Sequence, residues 1–209
     1  MALKPQLITL LPSSGVDLGR WLFAHYGVKY QERPHAPIFH VLALKYWGFG
    51  PNEYPLMVKG NTKIPTNEKI LPWLEEQSPD VPPLWPDKEK EPELFKEVEE
   101  LVKYAYWKLG GDVVNWSYWN FLKYKWVVWP SVATKVPWYE KLTLLIAFPV
   151  IRALMYKGLK LDQSVADAAL KEIREGWDKF DKMLEDGREY LVGGRLTYAD
   201  LAVSAGLAP

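Results

Sequence analysis

The hydrophobic positions change period along the chain, and each change marks an element. Leu7, Ile8, Leu10 and Leu11 form a nearly continuous apolar run, the pattern of a strand buried on both faces. Pro12 ends it. Ser13-Ser14-Gly15 makes a turn, and Ser14 followed three residues later by Asp17 reads as a capping box opening a helix. Leu18, Trp21, Leu22, His25 and Tyr26 then recur at helical spacing, with Gly27 as a helix stop. Val28–Glu32 alternates like a second strand, and Arg33–Glu53, with three prolines and a Gly-Phe-Gly near its end, has no clear period. Tyr54 to Val58 reads as a strand whose second residue is proline. Lys59 to Thr62 is a turn, Lys63-Ile64 a short returning strand, and Pro65-Thr66-Asn67-Glu68 a helix start. Ile70, Leu71, Trp73 and Leu74 give that helix its apolar face.

The order β-α-β, irregular, β-β-α is that of a thioredoxin-like domain, placed at 1–78. From 79 to 91 the chain is rich in proline and charge and reads as a linker. The signals from 92 to 209 are helical. Phe95, Val98, Leu101, Val102 and Ala105 make one stripe, and Ser164 with Asp167 reads as a capping box. Leu170, Ile173, Trp177, Phe180 and Leu184 line the helix that box opens. Thr197 with Asp200 forms another box, flanked by Leu196 and Leu201 where a hydrophobic staple needs them. The expected fold class is therefore an α/β thioredoxin-like domain followed by an all-α helical bundle.

Composition narrows the chemistry. The 209 residues are 48% hydrophobic, enough for a substantial core, and carry 26 basic and 26 acidic side chains. That balance provides no global field for DNA, RNA or an anionic membrane. Cysteine is absent, which removes disulfides, thiol nucleophiles and Cys-based metal or redox sites and fits a reducing compartment. MALKPQL lacks a signal-peptide apolar region, so a cytoplasmic location is expected. The longest apolar run, Leu142 to Tyr156, is broken by Thr143, Pro149 and Arg152 and is too short to span a bilayer. His25, His35 and His40 have no carboxylate or cysteine spacing around them and read as ordinary histidines, with no metal site.

The first domain, the Pro-rich linker and a helical domain carrying Leu191-Val-Gly-Gly-Arg-Leu-Thr-Tyr-Ala-Asp-Leu201 together resemble the cytosolic glutathione transferase superfamily, in a divergent, bacterial-like, Ser-type form. The resemblance covers essentially the whole chain. Leu191 to Leu201 matches the family's core-helix box and staple, and Tyr54-Pro55 sits where the family has a cis-proline opening its third strand. There the residue before the proline pairs its backbone with the cysteine of glutathione. The resemblance implies glutathione as co-substrate, no metal, a hydrophobic electrophile as the second substrate, detoxification as the role, and a homodimer. The thiol, with a pKa of roughly 8.5 when free, is held as thiolate by a hydroxyl and a helix N-terminus. With no Cys in the chain and no Tyr before Trp21, the matching position is Ser13, with Ser14 the runner-up and already assigned to capping. A plain strand-to-helix turn is the alternative for both serines.

Donors for the γ-glutamyl carboxylate match Thr66 and Asn67, where the family usually has an acidic residue and Ser. Their hydroxyl, amide and backbone N–H groups at a helix N-terminus suit a carboxylate. Glu68 is the neighbour that substitutes for the missing acid, and Thr66 equally suits an N-cap. Lys45, or His40, is placed toward the glycine end. The whole chain holds 11 Trp and 12 Tyr, and in the second domain Tyr104, Tyr106, Trp107, Trp116, Tyr118, Trp119, Phe121, Tyr124, Trp126 and Trp129 crowd into one belt. Tyr104, Trp107, Trp116 and Trp119 are the pocket candidates, most other aromatics being assigned to core and interface. The chain ends about three turns after Thr197, whereas the family continues through further helices, implying a truncated or a shortened, more open second domain. The alternative function is a non-catalytic carrier or assembly module whose Trp/Tyr belt and Leu142–Tyr156 segment meet a membrane surface or a protein partner.

Overall fold

The computed structural model describes residues 3–208. Met1 and Ala2 of the N-terminal MALKPQL stretch, and the terminal Pro209, lie outside the described residues. Four strands form one sheet in the order β2-β1-β3-β4. β1 (Gln6–Leu10) is central because Leu7 and Ile8 are buried on opposite faces. β2 (Gln31–His35) pairs with it in parallel, while β3 (Leu56–Lys59) runs antiparallel to β1 and turns through Gly60, at φ +61°, into β4 (Thr62–Pro65). The helices of this part are α1 (Ser14–His25), α2 (Phe39–Tyr46) and α3 (Asn67–Gln77).

Two elements differ from the expected pattern. The second strand lies three residues later than Val28–Glu32. Val28 N–H instead bonds Phe23 O to close the turn after α1, Tyr30 packs on Phe23, and pairing begins only at Gln31. The strand consequently includes Pro34 opposite Thr9, which an edge position tolerates because one row of backbone groups needs no partner. The unpatterned Arg33–Glu53 segment contains α2, whose residues are mostly apolar and of which only Leu44 is fully buried. Its start residue, Ile38, has φ +77° and no capping side chain, so neither a periodic face nor a start signal marks it.

The second half is helical: α4 (Pro92–Val102), a π-helical stretch (Lys103–Leu109), α5 (Gly110–Phe121), α6 (Lys125–Ala133), α7 (Trp138–Gly158), α8 (Gln163–Leu184) and α9 (Tyr198–Leu207). α9 meets the π stretch backbone to backbone. A Cβ on Gly206 would stand 3.0 Å from Ala105 O and 3.1 Å from Tyr106 Cα. Its capping box is complete, with Asp200 N–H donating to the Thr197 side chain and Thr197 N–H to the Asp200 carboxylate, which also accepts from the Thr197 hydroxyl. The Ser164/Asp167 box is not formed. Asp162 is the N-cap of α8, accepting from Val165 N–H and the Ser164 hydroxyl, and Asp167 is taken by Gln163. The buried face of α8 is Ala166, Ala169, Gly176 and Phe180, while Trp177 and Leu184 are partly exposed, at 49% and 39%.

The chain forms two compact units. One runs to Val81 and includes Tyr124–Leu154; the other is Pro82–Lys123 with the chain from Met155 on. The hydrophobic pattern alone places 124–154 with the later helices. Within the Pro-rich segment Leu84 is buried, its carbonyl accepts from Tyr198 N–H, and Trp85 stacks on Tyr198. Among the described residues no single helix is long and apolar enough to cross a membrane.

Candidate functional site

Sheet register assembles the candidate residues of the first unit. Leu10 lies opposite His35, Ile8 opposite Leu56, and Leu56 opposite Pro65. The carboxyl ends of β1, β2 and β4 and the amino end of β3 therefore share one edge of the sheet. Ser13-Ser14, His35, Tyr54-Pro55 and Thr66-Asn67 all fall there. α1 and α3 both begin at this edge, so two helix N-termini with their unpaired N–H groups meet it. The Leu11-Pro12 and Tyr54-Pro55 bonds are both cis.

The N-cap of α1 falls one residue earlier than the capping-box reading places it. Ser13 is the N-cap of α1, extended at φ −159°, and its carbonyl accepts from Val16 and Asp17 N–H. Its hydroxyl makes no cap hydrogen bond. Ser14 is the first helical residue, which puts Asp17 one position past the box register, and Arg20 binds its carboxylate at 2.6 Å. Arg20 also makes a two-pronged contact with Glu32 on β2, which accepts from the Thr9 hydroxyl as well. Burial works against the Arg20 charge, but the bonds and charge of Glu32, then those of Asp17, outweigh it and hold its pKa above the ordinary value.

Thr66 and Asn67 are more committed than their side chains suggest. Thr66, at φ +62°, gives its N–H to Pro55 O at 2.9 Å and makes no side-chain cap bond. Asn67 is 3% exposed and donates its amide Nδ2 to Gly15 O at 2.7 Å. Its Oδ1 is buried without a partner and faces Gly19, where a Cβ would come within 2.9 Å. Asn67 thus ties the start of α3 to the start of α1, and its amide is not free for a ligand carboxylate. Glu68 is exposed in the first turn of α3, and Lys45 is exposed in the last turn of α2.

Sequence reasoning missed a contact between residues far apart in the chain. His35 Nδ1 lies 2.7 Å from Glu140 Oε1, and Glu140 Oε2 accepts Ala36 N–H at 2.8 Å. Glu140, on α7, is 1% exposed. No local signal could reveal a pair 105 residues apart. His40 packs edge-on against the Tyr54 ring, 5.6 Å between centroids, with Nδ1 buried and unpartnered. Burial pushes its imidazole below the ordinary value of 6.5, partly offset by a bond to the Ala36 backbone and reinforced by His35. Among the described residues no group of three or more His, Asp or Glu could hold a metal ion.

In the second unit the four aromatic candidates have partners of their own. Tyr104 packs on Phe180 with Lys179 Nζ 4.0 Å from its ring centroid. Trp116 meets Phe121 edge-on, and Trp119 donates to Gln163 and packs on Tyr156. Trp107 is largely exposed. None of them lines the groove of about 630 Å³ between α8 and α9, whose apolar walls include Trp177, Phe180, Leu184, Val203 and Leu207.

Comparison with solved structures places this architecture. A glutathione S-transferase from Sinorhizobium meliloti superposes with a TM-score of 0.63 at 19% identity, over 98% of this chain and 77% of its own. The fold is that of the glutathione S-transferase superfamily. The beta-etherase LigF from Sphingobium shares this fold, with a TM-score of 0.68, 15% identity, and 97% and 82% of the two chains covered. A glutathione S-transferase from Methylobacillus flagellatus, solved with glutathione bound, gives 0.60 at 15%, over 98% and 81%. The family model for the glutathione S-transferase C-terminal domain matches residues 163–205, the transferase-fold segment that holds α8 and the α9 capping box. No curated protein sequence matches the chain.

Proposed function

We propose that the chain binds glutathione at the sheet edge of its first unit and transfers the thiolate to a hydrophobic electrophile. The observation that carries this reading is Ser13, an N-cap residue whose hydroxyl is left uncommitted at the positive end of α1. A thiol whose pKa is roughly 8.5 when free is shifted toward thiolate by a hydroxyl donating to sulfur beside a helix N-terminus. The S–H proton leaves to solvent, the sulfur lone pair attacks the electrophilic carbon, and the displaced group departs with the electrons of its broken bond. Ser14, in the first helical turn, is the reserve donor. The main chain of Tyr54, next to Pro55, pairs with the cysteinyl backbone of the tripeptide. Thr66 and Glu68 receive the γ-glutamyl end with the α3 N-terminus, Asn67 acting only through its strut to Gly15. Lys45 lies toward the glycyl carboxylate. Tyr104, Trp107, Trp116 and Trp119 are the aromatic candidates for holding the hydrophobic second substrate, and the protein acts as a cytoplasmic homodimer.

Glutathione titrated into the purified chain, followed by conjugation of a chlorodinitrobenzene-type electrophile, tests the proposal. Ser13→Ala should lower kcat/KM by about 100-fold, in line with loss of one preorganised donor to a developing or held anion, with little change in glutathione affinity. Absence of glutathione binding by the wild-type chain overturns the reading, and unchanged turnover in Ser13→Ala removes the serine from it.

A further inference from the structure

The surface of α7 is unusual for a helix of a folded domain. Its inner face is Glu140, Leu144, Phe148 and Ile151, all buried. Its outer face should be polar by the usual amphipathic rule. Instead, Trp138, Leu142, Ile146, Val150 and Leu154 follow one another at steps of four residues, each between 49% and 75% exposed. Each step of four advances by about 40°, so the five form a continuous stripe about 24 Å long that winds through about 160° of the helix surface, opposite the buried face. Trp126, on the neighbouring α6, is 70% exposed. An uncovered apolar strip of this length marks an interaction surface rather than scattered exposure.

Charge identifies what covers it. Between residues 124 and 154 the basic residues are Lys125, Lys135, Lys141 and Arg152, and the one acidic residue is Glu140. Glu140 is buried and spent on His35 and Ala36, so it adds no negative charge to the surface. Lys141 borders the stripe beside Trp138 and Leu142, while Arg152, about three turns on, lies across the helix from Val150 and Leu154. Lys125 bonds Leu145 O and lies over the Trp126, Trp129 and Phe148 rings, tying α6 to α7. The chain as a whole has equal numbers of acids and bases, so this cationic excess is local to the segment with the exposed apolar stripe. A second copy of the chain would set cation against cation wherever two such flanks met in an isologous contact. Apolar residues on one face, cations on its flank, and Trp or Tyr where the helices meet water are the features of a helix lying in an anionic lipid interface.

We propose that α6 and α7 form a peripheral membrane-binding face that seats the apolar stripe among the acyl-chain ends of an anionic leaflet while Lys135 and Lys141 meet its headgroups. It is a surface contact, since no single described helix is suited to cross the bilayer.

The test uses the full chain with vesicles of phosphatidylcholine alone and of phosphatidylcholine with about 30% phosphatidylserine. The chain should float with the anionic vesicles, with a blue shift in tryptophan emission. Binding should fall at least about tenfold on neutral vesicles or at about 0.5 M salt, where screening is within a few ångströms. Ile146→Glu with Val150→Glu, both at exposed positions, should reduce partitioning by about tenfold or more with an unchanged circular dichroism spectrum. Trp126→Ala, on the other helix, should weaken binding several-fold and serves if the double variant misfolds. Failure of the wild-type chain to bind anionic vesicles overturns the proposal. So does a double variant that partitions normally, or one that changes a dimer into a monomer in sedimentation while vesicle binding stays the same; that last result would make the stripe a contact between copies.

Discussion

Asn67 shows how one side chain can serve two helix starts. Its amide reaches from α3 to Gly15 O on α1, and the contact is tight enough that Gly19 has no room for a Cβ beside Oδ1. Asn67→Ala should cost about 1–3 kcal/mol, the usual range when a buried carbonyl loses its donor, read as a lower urea midpoint at unchanged m-value. His40 contributes a pH dependence. Its folded-state pKa lies below the ordinary 6.5, so the unfolded chain takes up a proton first as pH falls. The stability linked to His40 is therefore fully present above about pH 7 and is lost as pH drops through 6.5 toward its folded value. His40→Phe should flatten that part of the stability-against-pH curve, measured by thermal denaturation between pH 7.5 and about 5.5. Neither effect could be read from the residue type alone. Asn67 looks like a ligand donor and His40 like an ordinary histidine until their neighbours are known.

At the scale of elements, the helix starts separate into those the sequence marks correctly and those it does not. The Thr197/Asp200 box is real, and Asp200 also accepts Leu191 N–H at 2.8 Å. Asp200→Ala therefore strips acceptors from Leu191 N–H, Thr197 N–H and the Thr197 hydroxyl at once. It should destabilise the second unit by about 1–3 kcal/mol, seen as earlier loss of helical signal on heating. The Ser14/Asp17 and Ser164/Asp167 boxes fail for one common reason. Each helix starts before the serine, at Ser13 for α1 and Asp162 for α8, so Asp17 and Asp167 fall beyond the third helical position and take Arg20 and Gln163 as partners instead. The second strand slips by three residues because the turn after Gly27 and the Tyr30–Phe23 contact use up the residues in between.

For the molecule as a whole, glutathione provides the integrating measurement. A ligand that binds only the folded state at about 100 times its Kd adds about 2.7 kcal/mol to stability. Glutathione should raise the melting temperature accordingly, and Ser13→Ala should retain most of that rise while losing turnover. The sequence by itself determined the class of fold: the double-faced strand at Leu7–Leu11, the Pro-rich break and the Thr197 box are local patterns, and local patterns come from short-range sterics and hydrogen bonding. It also placed Ser13, Tyr54-Pro55 and Thr66 near one another through the family resemblance. Only the tertiary structure decided which serine caps α1, that Asn67 is a strut, that Glu140 is paired with His35, and that 124–154 belongs with the first unit. Each of those depends on which distant group reaches a side chain first, and sequence spacing does not encode that competition. The exposed stripe of α7 follows the same division. Its apolar spacing is written in the sequence, but which side of the helix remains uncovered is settled only once Glu140, Leu144, Phe148 and Ile151 are turned inward.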